Sequence, residues 1–244
     1  MNASTQPYSS IDAEEAAHFG KLAADWWNPT GSSAMLHKLN PPRLRHIRAT
    51  IDAHWGVDPD AMKPLSGKSA IDVGCGAGLL AEPLARMGAS VTAIDAAPEN
   101  IAVARLHAGK QGLSIDYRSG GVESLAGERF DLVTSMEVIE HVVDPAGFVA
   151  SLARLLAPGG IMMLSTPNRT PLSRLAMIGL GEGLGLVPKG THDWQKFVTP
   201  DELSAHVEAA GLRVIERRGL SFSPAAGFHL SDNLTLDYFL TAVW

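Results

Sequence analysis

Between Ser69 and Ser165 short apolar runs alternate with amphipathic stretches. The runs Ser69 to Val73, Ser90 to Ile94, Ile115 to Arg118, Phe130 to Met136 and Ile161 to Ser165 have the pattern of strands buried on both faces. Leu79 to Met87, Pro98 to Ala108 and Pro145 to Leu156 carry apolar residues at helical spacing. This alternation predicts a parallel sheet with right-handed crossovers. Ala157-Pro158-Gly159-Gly160 predicts a sharp turn into the fifth strand. In Thr199-Pro200-Asp201-Glu202 a helix is expected to open, with Thr199 as N-cap and Glu202 at the capping-box position. Leu212 to Arg217 and Leu236 to Val243 read as two last strands joined by a Gly/Ser/Pro-rich connection. The expected fold class is α/β, a doubly wound, seven-stranded, mostly parallel sheet.

Two helices are predicted ahead of it. Ile11 to Trp27 places Phe19, Leu22, Trp26 and Trp27 at helical spacings before Asn28-Pro29-Thr30-Gly31 breaks the pattern. Asn40-Pro41-Pro42 then suits a helix start, with Leu44, Ile47, Ile51 and Trp55 on one face and Gly56 at the end. The segment Asn168 to Phe197 does not fit the alternation and reads as an insertion. One domain is expected over 1–244: a helical cap (1–60), a core (66–167), the insertion (168–198) and the remaining sheet (199–244).

A chain of 244 residues with 45% hydrophobic content can bury a large core. Its net charge of −6, with no basic stripe, argues against nucleic acid as a partner. The single cysteine, Cys75, cannot form an internal disulfide, which fits a reducing compartment. With no leader pattern and no long apolar run, a cytoplasmic protein is expected.

The stretch Asp72-Val73-Gly74-Cys75-Gly76-Ala77-Gly78 joins a predicted strand to a predicted helix. Glycine at 74 and 76 is expected to clear a ligand's approach path, with backbone N–H groups facing an anion. A pyrophosphate-binding G-x-G-x-x-G would put its third glycine at position 79, which is Leu79, and this argues against a nicotinamide-dependent oxidoreductase. The spacing suits a smaller zwitterion, with Asp72 balancing an ammonium and Asp95, at the end of the second strand, accepting both ribose hydroxyls. Ser69 to Pro167, with Phe130-Asp131-Leu132-Val133 and Leu156-Ala157-Pro158-Gly159-Gly160, resembles the class I methyltransferases. That resemblance implies S-adenosylmethionine as cofactor, held by Gly74, Asp95 and Met136 together with Asp72 and Gly76.

Further strings resemble one branch, the bacterial and mitochondrial ubiquinone-biosynthesis O-methyltransferases. They are Trp26-Trp27, Asn40-Pro41-Pro42-Arg43-Leu44, Ala104-Arg105-Leu106-His107-Ala108, Met136-Glu137-Val138-Ile139-Glu140-His141-Val142, Ser165-Thr166-Pro167-Asn168-Arg169 and Val187-Pro188-Lys189-Gly190-Thr191-His192-Asp193-Trp194. Pro167 departs from the residue many members carry there. The resemblance implies methyl transfer to a phenolic oxygen of a polyprenylated catechol, at an early polyprenyl hydroxyphenol step and a late demethylubiquinol step. It also implies Arg43 as a cofactor contact and Glu137, Glu140 and His141 as a magnesium site.

The residues themselves leave the chemistry open. A phenol has a pKa near 10, so some group must favour the phenolate. If helical, Glu137, Glu140 and His141 at i, i+3 and i+4 face one way and gather a divalent cation that acidifies the phenol. Alternatively His141 is a metal-free general base, or all three only decorate the loop. His192 and Asp193 either touch substrate or hold their loop by local hydrogen bonds, and Trp26 and Trp194 read as core. The apolar residues Leu172, Leu175, Met177, Ile178, Leu180, Leu184, Leu186 and Val187, flanked by Arg169, Arg174 and Lys189, suit either a substrate lid or peripheral contact with anionic membrane lipids. Competing functions are a class I methyltransferase for another small acceptor and a non-catalytic scaffold among ubiquinone-biosynthesis proteins.

Overall fold

A computed structural model describes residues 9–31, 33–176 and 193–244. Eight strands form one sheet: β1 (Ser69–Val73), β2 (Ser90–Asp95), β3 (Asp116–Ser119), β4 (Phe130–Met136), β5 (Leu156–Pro167), β6 (Arg213–Ser223), β7 (Gly227–Ser231) and β8 (Asp237–Val243). Their order is β3-β2-β1-β4-β5-β8-β6-β7. Strands β1 to β5 pair in parallel, whereas β8 runs antiparallel to both β5 and β6. From β1 the chain steps outward to β2 and β3, then returns to β4 on the other side. That reversal opens a crevice at the carboxyl ends of β1 and β4.

Both sheet faces are apolar, which is why the strands read as continuous hydrophobic runs. Ile71 and Val73 of β1, Val133 of β4 and Met162 and Leu164 of β5 pack against Phe148 and Leu152 of α5 (Pro145–Leu155) and Leu203 and Val207 of α6 (Pro200–Ala209). The alternate positions Ala70, Leu132, Ile161 and Met163 meet Ile47 and Ile51 of α2 (Ala34–Trp55), Leu84 of α3 (Ala81–Arg86) and Ile101 and Ala104 of α4 (Pro98–Lys110). The predicted capping box is formed: Thr199 Oγ1 accepts the Glu202 N–H and Glu202 accepts the Thr199 N–H.

Several expectations are corrected. The first helix is shorter, α1 (Ala13–Lys21), because Asp12 caps it through the Glu14 and Glu15 N–H groups and a 3-10 turn, Ala23–Asp25, follows. Helix α2 starts at Ala34 and runs through Pro41 and Pro42. The two missing amide donors are tolerated where Leu39, Pro42 and Arg43 are buried and the Asn40 side chain donates to the Leu79 carbonyl. The predicted turn at Ala157 to Gly160 is a bulge within β5: Leu156 pairs with Phe130 and Ile161 with Leu132, leaving four residues opposite Asp131. Among the described residues there are eight strands, not seven. The Gly/Ser/Pro-rich connection folds back as β7, whose Phe228 and Leu230 pack against the core face of α2.

Candidate active site

At the end of β1 the chain turns through Gly74, Gly76 and Gly78, all at positive φ. The missing Cβ atoms admit the protein's own side chains, which corrects the expectation of an open approach. A Cβ on Gly74 would collide with Val138, and one on Gly76 would stand within 3.0 Å of Cη2, Cζ3 and Cζ2 of Trp26. The turn's N–H groups are also largely committed. Gly74 and Cys75 donate to the Ile94 carbonyl (2.8 and 3.0 Å), Gly76 to Asp95 Oδ2 (2.8 Å) and Gly78 to the Cys75 carbonyl (2.9 Å).

Asp95 was expected to offer its carboxylate to two ribose hydroxyls, but Oδ1 accepts from the Ala97 amide (2.9 Å) and the Asn100 side chain (3.1 Å). Burial raises its pKa, and these hydrogen bonds oppose the rise. Asp72 is buried, accepting from Thr134 Oγ1 at 2.9 Å. Burial pushes its carboxyl up to about 7 against the opposing effects of that hydrogen bond and of the Arg43 charge.

Met136, buried, closes β4. The next residue, Glu137, has φ of 57°, a left-handed conformation that a non-glycine residue rarely adopts. It is held there by three bonds. Its N–H donates to the Ser165 carbonyl (3.0 Å), and its Oε1 accepts from Ser165 Oγ (2.5 Å) and from Arg43 Nη2 (3.2 Å). Arg43, on α2, is only 5% exposed. Glu140 is 3% exposed; Thr166 Oγ1 donates to its Oε2 at 2.9 Å, and burial pushes the carboxyl up to about 7.

His141 ends a 3-10 turn, Ile139–His141. Its Nδ1 lies 3.2 Å from Glu15 Oε2, its Nε2 3.9 Å from Glu140 Oε1, and Phe19 stands edge-on at 5.0 Å. Burial lowers its pKa, but the Glu15 hydrogen bond and the surrounding carboxylates outweigh that, for a net rise. The same bond holds Glu15 down at about 2.

The methyltransferase domain family matches residues 42–217. A ubiquinone biosynthesis O-methyltransferase of Methylobacterium nodulans is 47% identical over 246 residues, covering 99% of this chain and 98% of its own. Another of that name, from Cereibacter sphaeroides, is 48% identical over 240 residues, covering 96% and 97%. The chain belongs to the ubiquinone biosynthesis O-methyltransferases. At the level of fold, this methyltransferase is similar to the magnesium protoporphyrin IX methyltransferase of Synechocystis solved with bound SAM (TM-score 0.62, 16% identity, 100% and 99% coverage). It is also similar to a SAM-dependent methyltransferase of Aquifex aeolicus (TM-score 0.53, 16% identity, 93% and 97% coverage).

In the methyltransferase, Asp72, Gly74, Gly76, Asp95, Met136, Glu137, Glu140 and His141 lie at the ends of β1, β2 and β4, and Arg43 reaches them from α2. The acids and His141 do not share one helical face. The left-handed Glu137 and the single 3-10 turn send Glu137 to Arg43 and Ser165, Glu140 to Thr166 and His141 to Glu15. Among the described residues no group of three or more His, Cys, Asp or Glu side chains is gathered to hold a metal ion. Asp193 bonds locally, accepting the Gln195 N–H. His192 and most of the insertion, residues 177–192, lie outside the described residues.

Two site residues escaped the sequence. Glu15 lies 126 positions from its partner in a polar helix face, where no spacing rule points to it. Asp237 opens β8 opposite Pro167 and is buried. Burial and the neighbouring Glu137 carboxylate raise its pKa well above the carboxylate range. An acid at the start of a late apolar run was its one available signal.

Proposed function

We propose that this methyltransferase moves a methyl group from S-adenosylmethionine to a phenolic oxygen of polyprenylated catechols in ubiquinone assembly, both a 2-polyprenyl-6-hydroxyphenol and 3-demethylubiquinol. The observation that carries the chemistry is His141 braced by Glu15 beside the glycine turn: Val138, whose carbonyl accepts the His141 N–H, packs on Gly74. Buried donors without a hydrogen-bond partner among the described residues, Trp26 Nε1 and Arg43 Nε, fit a zwitterionic ligand. Asp72 supplies the carboxylate for its ammonium.

Bound S-adenosylmethionine supplies an electrophilic methyl whose carbon–sulfur bond breaks as the phenolate oxygen bonds to carbon, the electron pair staying on sulfur. The chain's own residues hold the acceptor in line and take its proton. Glu15 orients the imidazole through Nδ1, and the ring would receive the phenol proton.

Magnesium is a second part of this proposal. Its support is donor chemistry: Glu140 Oε1 is buried without a hydrogen-bond partner among the described residues, 3.9 Å from His141 Nε2. Glu137, Glu140 and His141 would hold the ion only once Glu137 had left Arg43 and Ser165, and the ion would then act as a Lewis acid on the phenol oxygen. A third part is contact with anionic lipid. Leu172 and Leu175, 49% and 58% exposed, flank Arg174 where the insertion begins. No helix among the described residues is long and apolar enough to cross a membrane.

The test is turnover of polyprenyl catechol against short catechols, with and without chelator. Preference for short acceptors overturns the substrate, and chelator-insensitive turnover overturns the metal. Flotation with anionic liposomes tests the lipid contact; a deletion of 168–190 that floats as well as the parent overturns it.

A further inference from the structure

A methionyl carboxylate needs donors, and the glycine turn has few left to give. Of its five N–H groups, those of Gly74, Cys75, Gly76 and Gly78 already bond within the protein. Directly over the turn lies the Trp26 ring, touching the face of Gly76 that a Cβ would fill. Its Nε1 is two covalent bonds from Cζ2, so it too stands close to the turn, buried and without a hydrogen-bond partner among the described residues. An indole N–H sealed from water costs stability until an acceptor arrives.

The ring is not there by default. The His37 ring bonds the Trp26 carbonyl at 2.8 Å. Trp27 donates Nε1 to the Ala77 carbonyl at 3.0 Å and stacks on His107 at 3.5 Å. These anchors fix the backbone at the Trp26 carbonyl and at Trp27, and leave the Trp26 indole N–H unspent.

Resting on the cofactor reading above, we propose that Trp26 is a cofactor-binding residue, its indole roofing the glycine turn and its Nε1–H donated to the methionyl carboxylate of S-adenosylmethionine. The core role expected of Trp26 from sequence is thereby replaced by a binding role.

The experiment is calorimetry with S-adenosylhomocysteine on wild type, W26F and W26A, joined to 15N–1H spectra of the five tryptophan indoles. W26F keeps a ring and loses only the donor, so binding weakens roughly three- to tenfold, with W26A weaker still. On titration the Trp26 indole signal moves and gains protection from exchange with water, while those of Trp55 and Trp244, bonded to the Gly159 and Leu156 carbonyls, stay put. Unchanged or tighter binding in the variants, or an unmoved Trp26 signal, overturns the inference. Should W26F fold poorly, the wild-type spectrum, assigned through bonds, decides alone. No heat with wild type sinks the cofactor reading as well, whereas heat with an unmoved signal sinks the inference only.

Discussion

Glu15 Oε2 lies 3.2 Å from His141 Nδ1, joining the first helix of the cap to the loop after β4. The bond orients the imidazole and raises its pKa, so in the proposed mechanism the cap would serve proton transfer.

Glu15→Gln removes the charge that raises His141. A base must be neutral to accept a proton, so activity rises with pH through the His141 pKa. In the variant that rising limb moves to lower pH and kcat falls by roughly ten- to hundredfold as orientation is lost. A pH profile of kcat/KM reads the shift and rates at saturating substrate read kcat; an unmoved limb removes Glu15 from the mechanism.

Asp72 is expected to release a proton when the cofactor binds. Free, its carboxyl titrates at about 7, so at pH 6 it is largely protonated. A ligand ammonium favours the charged form, and binding therefore tightens from pH 6 to pH 8. Calorimetry at pH 6 in buffers of different ionisation enthalpy measures the released proton; Asp72→Asn abolishes the release and weakens binding. Equal heats in all buffers would contradict the assignment.

His46 is a stability switch on the acid side. Burial, with the Arg218 charge second, lowers its pKa from 6.5 to about 4, and its ring packs on Phe239 at 4.7 Å. The folded state prefers neutral His46, so the unfolded chain binds the extra proton as pH falls from 6.5 towards 4. Stability present above 6.5 is lost across that window, by up to roughly 3 kcal/mol. Urea unfolding at pH 7.5 and pH 5 should show His46→Leu losing less than wild type; equal losses refute it.

Gly76→Ala meets two obstacles, φ of 52° and the Trp26 ring. Destabilisation of roughly 1–3 kcal/mol is expected, with loss of S-adenosylhomocysteine binding. Thermal melts with and without ligand check both, and a variant that melts and binds like the parent discards the close fit.

Much of the frame was legible because parallel strands buried on both faces leave apolar runs, as in Ala70, Ile71, Leu132 and Val133, and because caps such as Thr199 with Glu202 are local chemistry. Strand β7 was not legible. Its partly buried residues sit beside Ser223–Gly227, a turn whose composition reads as linker. At the site, sequence placed Asp72, Asp95, Met136, Glu137, Glu140 and His141 at the sheet's carboxyl edge. It could not foresee that a left-handed Glu137 would break the helical phase, or that distant Glu15 and Asp237 would arrive there.

The antiparallel direction of β8 has a bearing on folding fidelity. Because that strand enters at the ligand edge, its opening residue stands next to Glu137, and sliding it by one position would offer Leu236 or Tyr238 instead. Leu236 there would set an alkyl group beside the buried Arg43–Glu137 pair, and Tyr238 there would give up its bond to the Val198 carbonyl. One carboxyl thus acts as a proofreading mark, making misaligned versions of the sheet costly before any substrate is met.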